Sequence, residues 1–362
     1  MGHGRPDPEG RLQSQLCDDA TEVLAFCGRN SNEIVNDIRT VLASYELDEA
    51  SFIRKCACYG LVGRPSAWGV PTPDTRVGRK MPLSAEDLVA NPKFILALRF
   101  HAGRMRGMFN TGPRLARLLA SQQRWLLTQT AYALAMERDP ADSTSGFTAV
   151  RLTREITSHK VASRNTVLSF IDELVTYRFI AYAPGAERRR PRQFEPTEIS
   201  HQAMFGWLVS NLGALDLLDG GSRVAHVEAH PELIRVMQPR IALNCLQDPQ
   251  WREPPEHVAL FQWNDAGGLI VDHLVSRIDL DGDDPERVVV GHVDSRALAA
   301  DFMISRTHLQ RLFARAAQQG CIGWDTIDKK PVLWMSRSFV EQYSRWQAIK
   351  FAYVDDAFRC EA

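Results

Sequence analysis

The chain has 362 residues, 44% of them hydrophobic and 24% charged, which predicts two or three ordinary globular domains. No apolar run approaches the roughly 20 residues that cross a bilayer. The N-terminus also lacks the apolar segment of a signal peptide, so we expect a cytoplasmic protein rather than a membrane or secreted one.

The formal net charge of −1 hides an uneven charge distribution. Residues 93–192 contain 17 lysines and arginines against 7 aspartates and glutamates, an excess of ten positive charges. A basic block inside a neutral chain is typical of a protein with one face that meets nucleic acid. A surface with scattered arginines is the plainer interpretation, but the densest arginine cluster falls at the tip of a predicted hairpin.

The N-terminal region, residues 1–90, is predicted to be partly disordered. Residues 1–18 are polar and contain glycine and proline. Apolar residues at helical spacing predict a helical segment within 19–61, and repeated prolines predict a linker over 63–81. The pattern assigns no function to this region, which suits either a small helical interaction module or a docking arm.

Beyond this region one pattern of residues occurs twice, 142 residues apart. At this offset Ser305 corresponds to Ser163 and Arg296 to Arg154, and the constant offset predicts an alignment without gaps. Each copy predicts, in order, a helix, a strand, two helices, two strands and a final helix. This order is that of a winged helix-turn-helix.

The elements follow from the periodicity and the turn residues. In the first copy they are helices over 92–120 and 122–138, a loop over 139–146, a strand near 149–151, a helix over 153–160, a helix from Ser163, strands from 179 and 193 around a tip over 184–192, and a helix over 198–218. In the second copy the later elements are a helix from Ser305, a strand over 321–324, a tip over 325–330, a strand over 331–334 and a helix over 337–354.

The helix that begins at each of these serines carries an apolar stripe at positions i, i+3, i+4 and i+7, which predicts a buried face. The serine hydroxyl suits the N-cap of the helix. The stripe comprises Val167, Phe170, Ile171 and Leu174 in the first copy and Leu309, Leu312, Phe313 and Ala316 in the second. The predicted fold is mainly α with small β-wings: two tandem winged helix-turn-helix domains, over 91–222 and 223–362, plus the helical N-terminal region.

The polar face opposite each stripe has the chemistry of a major-groove reader. Arginine can make a bidentate contact to guanine, asparagine or glutamine to adenine, and serine or threonine can bind phosphate. Basic residues at the hairpin tips suit phosphates or a narrow minor groove. The predicted DNA-binding residues are Ser163, Arg164, Asn165, Thr166, Ser169, Arg188, Arg189, Arg190, Arg192, Ser305, Arg306, Thr307, His308, Gln310, Arg311, Lys329 and Lys330.

Five segments of the first copy carry a resemblance to a known family: Leu152–Ile156, Val161–Val167, Ile171–Leu174, Phe179–Ile180 and Phe194–Thr197. They resemble the recognition region and wing of MarR-type winged-helix transcriptional regulators, over about 120–210 and more weakly over 267–350. The resemblance implies a bacterial, sequence-specific regulator that binds double-stranded DNA, and it allows a small-molecule effector.

The chain departs from that family in length. Typical members are single winged helices that dimerise through terminal helices, whereas this chain joins two copies. The resemblance therefore implies a monomer that acts as an intrachain pseudo-dimer, or else a homodimer. The wing signature is also altered, with Glu187 ahead of the arginines.

Two other functions stay open: a plasmid-type replication initiator with tandem winged helices, and an interaction scaffold whose winged helices bind protein. An enzyme is not expected, because no Gly-rich phosphate loop, nucleophile elbow or carboxylate pair stands out. Neither a cofactor nor a metal is expected. His226 and His230 do not have the order of a zinc helix, and the Asp279–Asp284 loop has glycine at the wrong position for calcium. The odd number of cysteines, seven, indicates reduced thiols.

Overall fold

The computed structural model describes residues 81–362 apart from 112–117, 119, 143, 187–189, 280, 281, 283, 328 and 362. The chain divides into two compact units, Met1–Gly78 and Arg79–Ala362, and the described residues belong to the second. The predicted N-terminal helical segment and most of the proline-rich linker lie outside the described residues. The boundary predicted at residue 222 falls inside the second unit, so we call residues 81–222 its first half and residues 223–362 its second half.

The described residues are mainly helical, with two small antiparallel sheets, which confirms the predicted fold class at this level. The first half contains α1 (Ala85–Ala90), α2 (Phe94–Thr111), α3 (Gln122–Met136), β1 (Phe147–Thr148), α4 (Ala149–Ser158), α5 (Arg164–Thr176), β2 (Ile180–Tyr182), β3 (Gln193–Pro196) and α6 (Glu198–Asp219). The second half contains α7 (Arg223–Ala229), α8 (Ile234–Gln247), α9 (Pro249–Arg252), α10 (Glu256–Gln262), α11 (Gly267–Ser276), β4 (Arg287–Gly291), α12 (Ser295–Asp301), α13 (Arg306–Gln318), β5 (Ile322–Ile327), β6 (Lys330–Ser336) and α14 (Arg337–Glu361).

Polar caps determine where several helices begin. At α1, the Ser84 hydroxyl accepts a hydrogen bond from the Asp87 N–H, and the Asp87 carboxylate accepts one from the Ser84 N–H. At α4, the Thr148 hydroxyl accepts from the Arg151 N–H at 3.1 Å. Because Thr148 caps a helix, the strand predicted near 149–151 is wrong: those residues form the first turn of α4, and the strand is the shorter β1 before it.

The two sheets have the same strand order. The first is β1-β3-β2 and the second is β4-β6-β5, and all neighbouring strands are antiparallel. In each sheet the returning strand of a hairpin lies in the middle. Phe194 of β3 stands opposite Phe147 on one side and Tyr182 on the other. Met335 of β6 stands opposite Val288 and Ile322 in the same way.

The second hairpin, β5 with β6, is longer than predicted. Its pairing continues to Ile327 opposite Lys330, so the tip predicted over 325–330 is wrong for its first three residues and for Lys330. The connection between the strands is a tight turn, in which Lys329 takes a left-handed backbone with φ 63°. Asp325 and Thr326 point to opposite faces of the ribbon, and both are exposed, so their polarity resembled that of a loop.

The turn between α12 and α13 is one residue shorter than the turn between α4 and α5. After α4 the chain takes a left-handed backbone at Lys160 (φ 57°), and after α12 it does so at Met303 (φ 53°). These two corresponding residues are 143 positions apart. After the turn Ser163 and Ser305 cap α5 and α13 at an offset of 142. The prediction of a gapless alignment is therefore wrong: before the turn the two copies align with an offset of 143 instead of 142. The match of Arg296 with Arg154 is accordingly shifted by one residue.

The predicted apolar stripes are confirmed. Helices α5 and α13 each contain 13 residues, and in each the buried residues are those of the stripe, at 4% exposure or less. The stripe contacts the rest of its half: α4 and β2 pack against α5, while α12 and β5 pack against α13. Burying about four apolar side chains in each helix contributes several kcal/mol, on the order of 1.5–3 kcal/mol for each fully buried chain.

One hydrophobic core is shared by the two halves. Helix α3 of the first half packs against α8 of the second, α2 packs against α11, and α14 packs against α1, α6 and α8. A buried ion network adds to this contact. The Arg223 guanidinium, 3% exposed, donates to Asp355 on α14 at 2.8 Å and to Asp219 on α6 at 2.8 Å. The same Asp355 accepts from the Leu83 N–H at 2.7 Å, which fixes the segment ahead of α1.

Candidate nucleic-acid interface

The first candidate surface is the N-terminal end of α5, which follows the turn after α4. Ser163 caps α5: its hydroxyl accepts from the Thr166 N–H at 3.2 Å and lies 2.9 Å from the Thr166 hydroxyl. Both hydroxyls are therefore committed to the cap, and Thr166 is only half exposed. These two residues position the helix more than they offer free groups to a ligand.

The exposed polar groups on this end of the helix are Arg164, Asn165 and Ser169. Among the described residues, neither Arg164 nor Asn165 has a hydrogen-bond or ion-pair partner. Asn165 and Ser169 are four residues apart, so they lie on the same side of the helix, with Arg164 beside them. The buried stripe lies opposite. Helix α5 therefore holds these three polar side chains outward, while its buried stripe packs against the rest of the first half.

Further cations surround this surface. Lys160 lies in the turn, Arg178 follows the end of α5, and Arg154 projects from α4 with 67% of its side chain exposed. Arg154 pairs with its neighbour Glu155 at 3.0 Å, which offsets part of its charge. None of these three residues was among the predicted DNA contacts. Their position in the sequence could have indicated them, since basic residues at helix ends beside a predicted recognition helix would lie near DNA phosphates.

An ion pair holds α5 against α3. The Arg124 guanidinium lies 2.6 Å from the Glu173 carboxylate, and the same guanidinium stands 5.8 Å from the ring centroid of Phe170. Both side chains are about a quarter to a third exposed, so this pair contributes modestly, about 1 kcal/mol or less. Its effect is on orientation: it fixes the rotation of α5 relative to the shared core.

The first hairpin, β2 with β3, carries basic residues at its base. The Arg192 guanidinium lies 3.3 Å from the Tyr182 hydroxyl and 5.4 Å from the centre of the Tyr182 ring, which in turn stacks on Phe194. Arg192 is thus held against the sheet, while its side chain stays exposed. Arg190 is also exposed, one step nearer the tip. The predicted contacts Arg188 and Arg189 lie outside the described residues.

The second candidate surface is the N-terminal end of α13. Ser305 accepts from the His308 N–H at 3.1 Å, which repeats the cap of α5. The exposed side chains are Arg306, Thr307, Gln310 and Arg311. His308 differs from these: it is half-buried, and its Nε2 is enclosed without a hydrogen-bond partner in the described part of the chain. A ring nitrogen enclosed in this way is less accessible to a DNA base than the neighbouring arginines.

The second hairpin is more apolar than the first. The Trp334 indole covers Gly323 so closely that a Cβ on Gly323 would lie 2.1 Å from the ring. The Arg287 guanidinium lies over the same indole, 4.5 Å from the ring centroid. Trp324 and Ile327 are 41% and 53% exposed. The predicted contacts Lys329 and Lys330 are exposed at the turn. Two lysines on an apolar ribbon form a weaker basic surface than the arginine-rich first hairpin.

No protein-family model matches this chain, and no match is found among the curated proteins or the solved structures. Over the residues that the structure describes, no group of three or more His, Cys, Asp or Glu side chains could hold a metal ion. Within the same residues, no helix has both the length and the apolar character needed to cross a membrane.

Proposed function

We propose that the two halves are tandem winged helix-turn-helix units and that the chain binds double-stranded DNA as a sequence-specific transcriptional regulator. The observation that carries the proposal is the repetition of one arrangement. Helices α5 and α13 have the same length, the same serine cap and the same buried stripe, and each is followed by a hairpin in a sheet of the same strand order. In both copies an exposed arginine comes directly after the cap. The MarR-type resemblance agrees with this arrangement.

The chemistry of the exposed residues supports base reading. A helix fits the major groove when its N-terminal residues face the base edges and its apolar face packs on a support. Arg164 and Arg306 suit guanine, Asn165 suits adenine, and Gln310 suits adenine in the second unit. Because Arg164 and Asn165 have no partner within the described residues, contact with a base would not break an existing bond.

The two units are unequal as DNA readers. The first has the arginine-rich hairpin and extra cations around α5, while the second has an apolar hairpin with two lysines. We infer that the first unit supplies more of the non-specific phosphate attraction. Since Asn165 in one unit stands where Thr307 does in the other, the preferred site is an imperfect palindrome whose half-sites lie about one helical turn apart.

The base-reading assignment is tested with three single variants, Arg164→Ala, Asn165→Ala and Arg306→Ala. A duplex selected from random sequence by the full chain serves as the probe, and fluorescence anisotropy measures its dissociation constant. Each variant should lose about 1–3 kcal/mol of specific binding, roughly 5- to 150-fold. The matched control is Arg345→Ala, which removes an exposed arginine from α14. Binding curves that coincide for all three variants and the control, with folding intact, would refute the assignment.

The pseudo-dimer is tested by stoichiometry on that duplex. If one chain covers both half-sites, sedimentation of the complex gives one chain per duplex and a footprint that spans both. Two chains on one site, or a footprint limited to one half, would instead indicate an ordinary homodimer. Mapping of occupancy across the genome separates a regulator, with isolated promoter sites, from a replication initiator, with clustered repeats at an origin.

A further inference from the structure

The second hairpin, β5 with β6, has a longer paired ribbon than the first. Six residue pairs join its strands, from Ile322 to Ile327 of β5, whereas three pairs join β2 to β3. At about 3.3 Å per residue, the three extra pairs lengthen the ribbon by about 10 Å. One end is anchored in the core, because Leu333 and Met335 of β6 are fully buried. The other end projects into solvent, since every residue of β5 from Trp324 onward is exposed.

Contacts from β4 support this ribbon over most of its length. The Arg287 guanidinium on β4 lies 4.5 Å from the centre of the Trp334 indole and 3.5 Å from the Asp325 carboxylate. His292, the residue after β4, places its Nδ1 3.2 Å from the Pro331 carbonyl oxygen. These contacts reach as far as the next-to-last residue pair of the ribbon. The last pair and the turn therefore extend beyond a supported base.

The tip of the ribbon combines apolar side chains with cations. Ile327, the last paired residue of β5, is 53% exposed, and Pro331 on β6 is exposed as well. Lys329 and Lys330 lie between them, both exposed, and neither has an ion-pair partner within the described residues. The turn sequence also contains Asp328, so the formal charge of the tip is +1. A single exposed apolar residue is ordinary on a protein surface, but here two of them stand beside two lysines at the end of a ribbon.

The ribbon lies beside the second candidate recognition helix. Strand β5 packs against α13, and the rings of Phe313 on α13 and Trp324 on β5 lie 5.8 Å apart. A recognition helix occupies the major groove, and the minor groove is its neighbour along the duplex. With α13 in the major groove, the ribbon therefore lies next to a minor groove. Proteins that kink DNA from the minor groove insert an apolar side chain such as isoleucine between base pairs. The tip of the ribbon has this chemistry.

We propose that the second hairpin bends DNA by inserting Ile327 between two base pairs from the minor groove. This inference rests on the proposed function, because it takes α13 as a reader of the major groove. Insertion buries the isoleucine side chain, while Lys329 and Lys330 lie near the phosphates on either side. Unstacking a base step opposes insertion and is easiest at flexible TA or CA steps. The chain therefore prefers such a step beside the half-site of the second unit, where no recognition helix contacts the bases.

The bend is measured by Förster transfer between dyes at the two ends of a duplex that the full chain selects from random sequence. At saturating concentration the wild-type chain should bend this duplex by about 20–90°, the range produced by inserted side chains. Ile327→Ser replaces the apolar side chain with a polar one and should reduce the bend at least by about half. Ile327→Met keeps an apolar side chain and should retain the bend. Leu217→Ser on α6 is the matched control, because Leu217 is 51% exposed and lies in neither hairpin.

The position of the insertion is measured with 2-aminopurine, a base analogue whose fluorescence rises when it is unstacked. The half-site of the second unit is the one whose base substitutions lose their effect in Arg306→Ala. Placed in turn at the adenines beside that half-site, the analogue should brighten at one step with the wild-type chain and with Ile327→Met, but not with Ile327→Ser. Replacing that step by a stiff A-tract should weaken wild-type binding at least about threefold and leave the affinity of Ile327→Ser unchanged.

The outcomes separate this inference from the proposed function. A duplex that is bound with sequence preference but stays straight, or that Ile327→Ser bends as much as the wild-type chain does, would refute the insertion and leave the proposed function in place. In that case a protein partner becomes the better occupant of the apolar tip. If the chain binds no duplex with sequence preference, the proposed function fails and the insertion fails with it.

Discussion

The buried ammonium of Lys350 makes the free energy of unfolding vary with pH in the alkaline range. In the folded chain burial lowers its pKa from the ordinary 10.5 to about 8. Below about pH 8 both the folded and unfolded chains carry the charge, and the folded chain bears the full desolvation cost. Between about pH 8 and 10.5 the folded chain loses the proton first, so the cost is progressively relieved as the pH rises.

The size of this effect follows from the two pKa values. A difference of one pKa unit corresponds to about 1.4 kcal/mol, so the fall from 10.5 to about 8 corresponds to about 3 kcal/mol. Replacing Lys350 by methionine removes the titration. The free energy of unfolding of the wild-type chain, measured relative to Lys350→Met, should therefore rise by about 3 kcal/mol from pH 7 to above pH 10.

Urea unfolding at a series of pH values measures this difference, with linear extrapolation at each pH. Other alkaline titrations are common to both proteins and cancel in the comparison. Lys93→Met, which removes an exposed lysine, is the control for loss of a positive charge. Curves of unfolding free energy against pH that run parallel for wild type and Lys350→Met would refute the reasoning about the buried cation.

Three further predictions concern the fold. Ser305→Ala removes the acceptor at the start of α13 and should cost about 1 kcal/mol in urea unfolding, whereas an unchanged midpoint would mean that water replaces the cap. Arg223→Met leaves Asp355 buried with Arg359 as its remaining cation and should cost about 3 kcal/mol or more, so a loss below about 1 kcal/mol would contradict the importance of the network. Gly267→Ala would place a Cβ 1.8 Å from the Phe261 carbonyl oxygen, and a circular-dichroism melt should show a large loss of stability; a melt like that of wild type would contradict so close an approach.

Helix periodicity and capping were readable from local sequence. The stripes of α5 and α13 are buried as predicted, and Ser163 and Ser305 cap them, because side chains three and four residues apart share a helix face in any context. The repeated order of elements was readable for the same reason. The mainly α class with small sheets therefore followed from local rules, whereas binding to DNA remains a proposal that those rules motivate.

Positions that depend on long-range contacts were not readable in this way. The one-residue difference between the two turns was hidden by the constant offset beyond them, and the length of the second hairpin depended on pairing with a strand across the sheet. The surroundings of Lys350 could not be predicted at all. Trp346 and Lys350 lie on the apolar side of α14, but their neighbours His101, Asp272 and Trp251 come from distant parts of the chain.

The sequence by itself determined the helix faces, the caps and the duplication, because these depend on residues within a few positions of one another. Only the tertiary structure decided that the two halves share one core and bury the Lys350 side chain within it. The physical reason is that burial and electrostatic environment are properties of the assembled surroundings: a lysine in a helical stripe becomes a buried cation only when other helices remove the water around it.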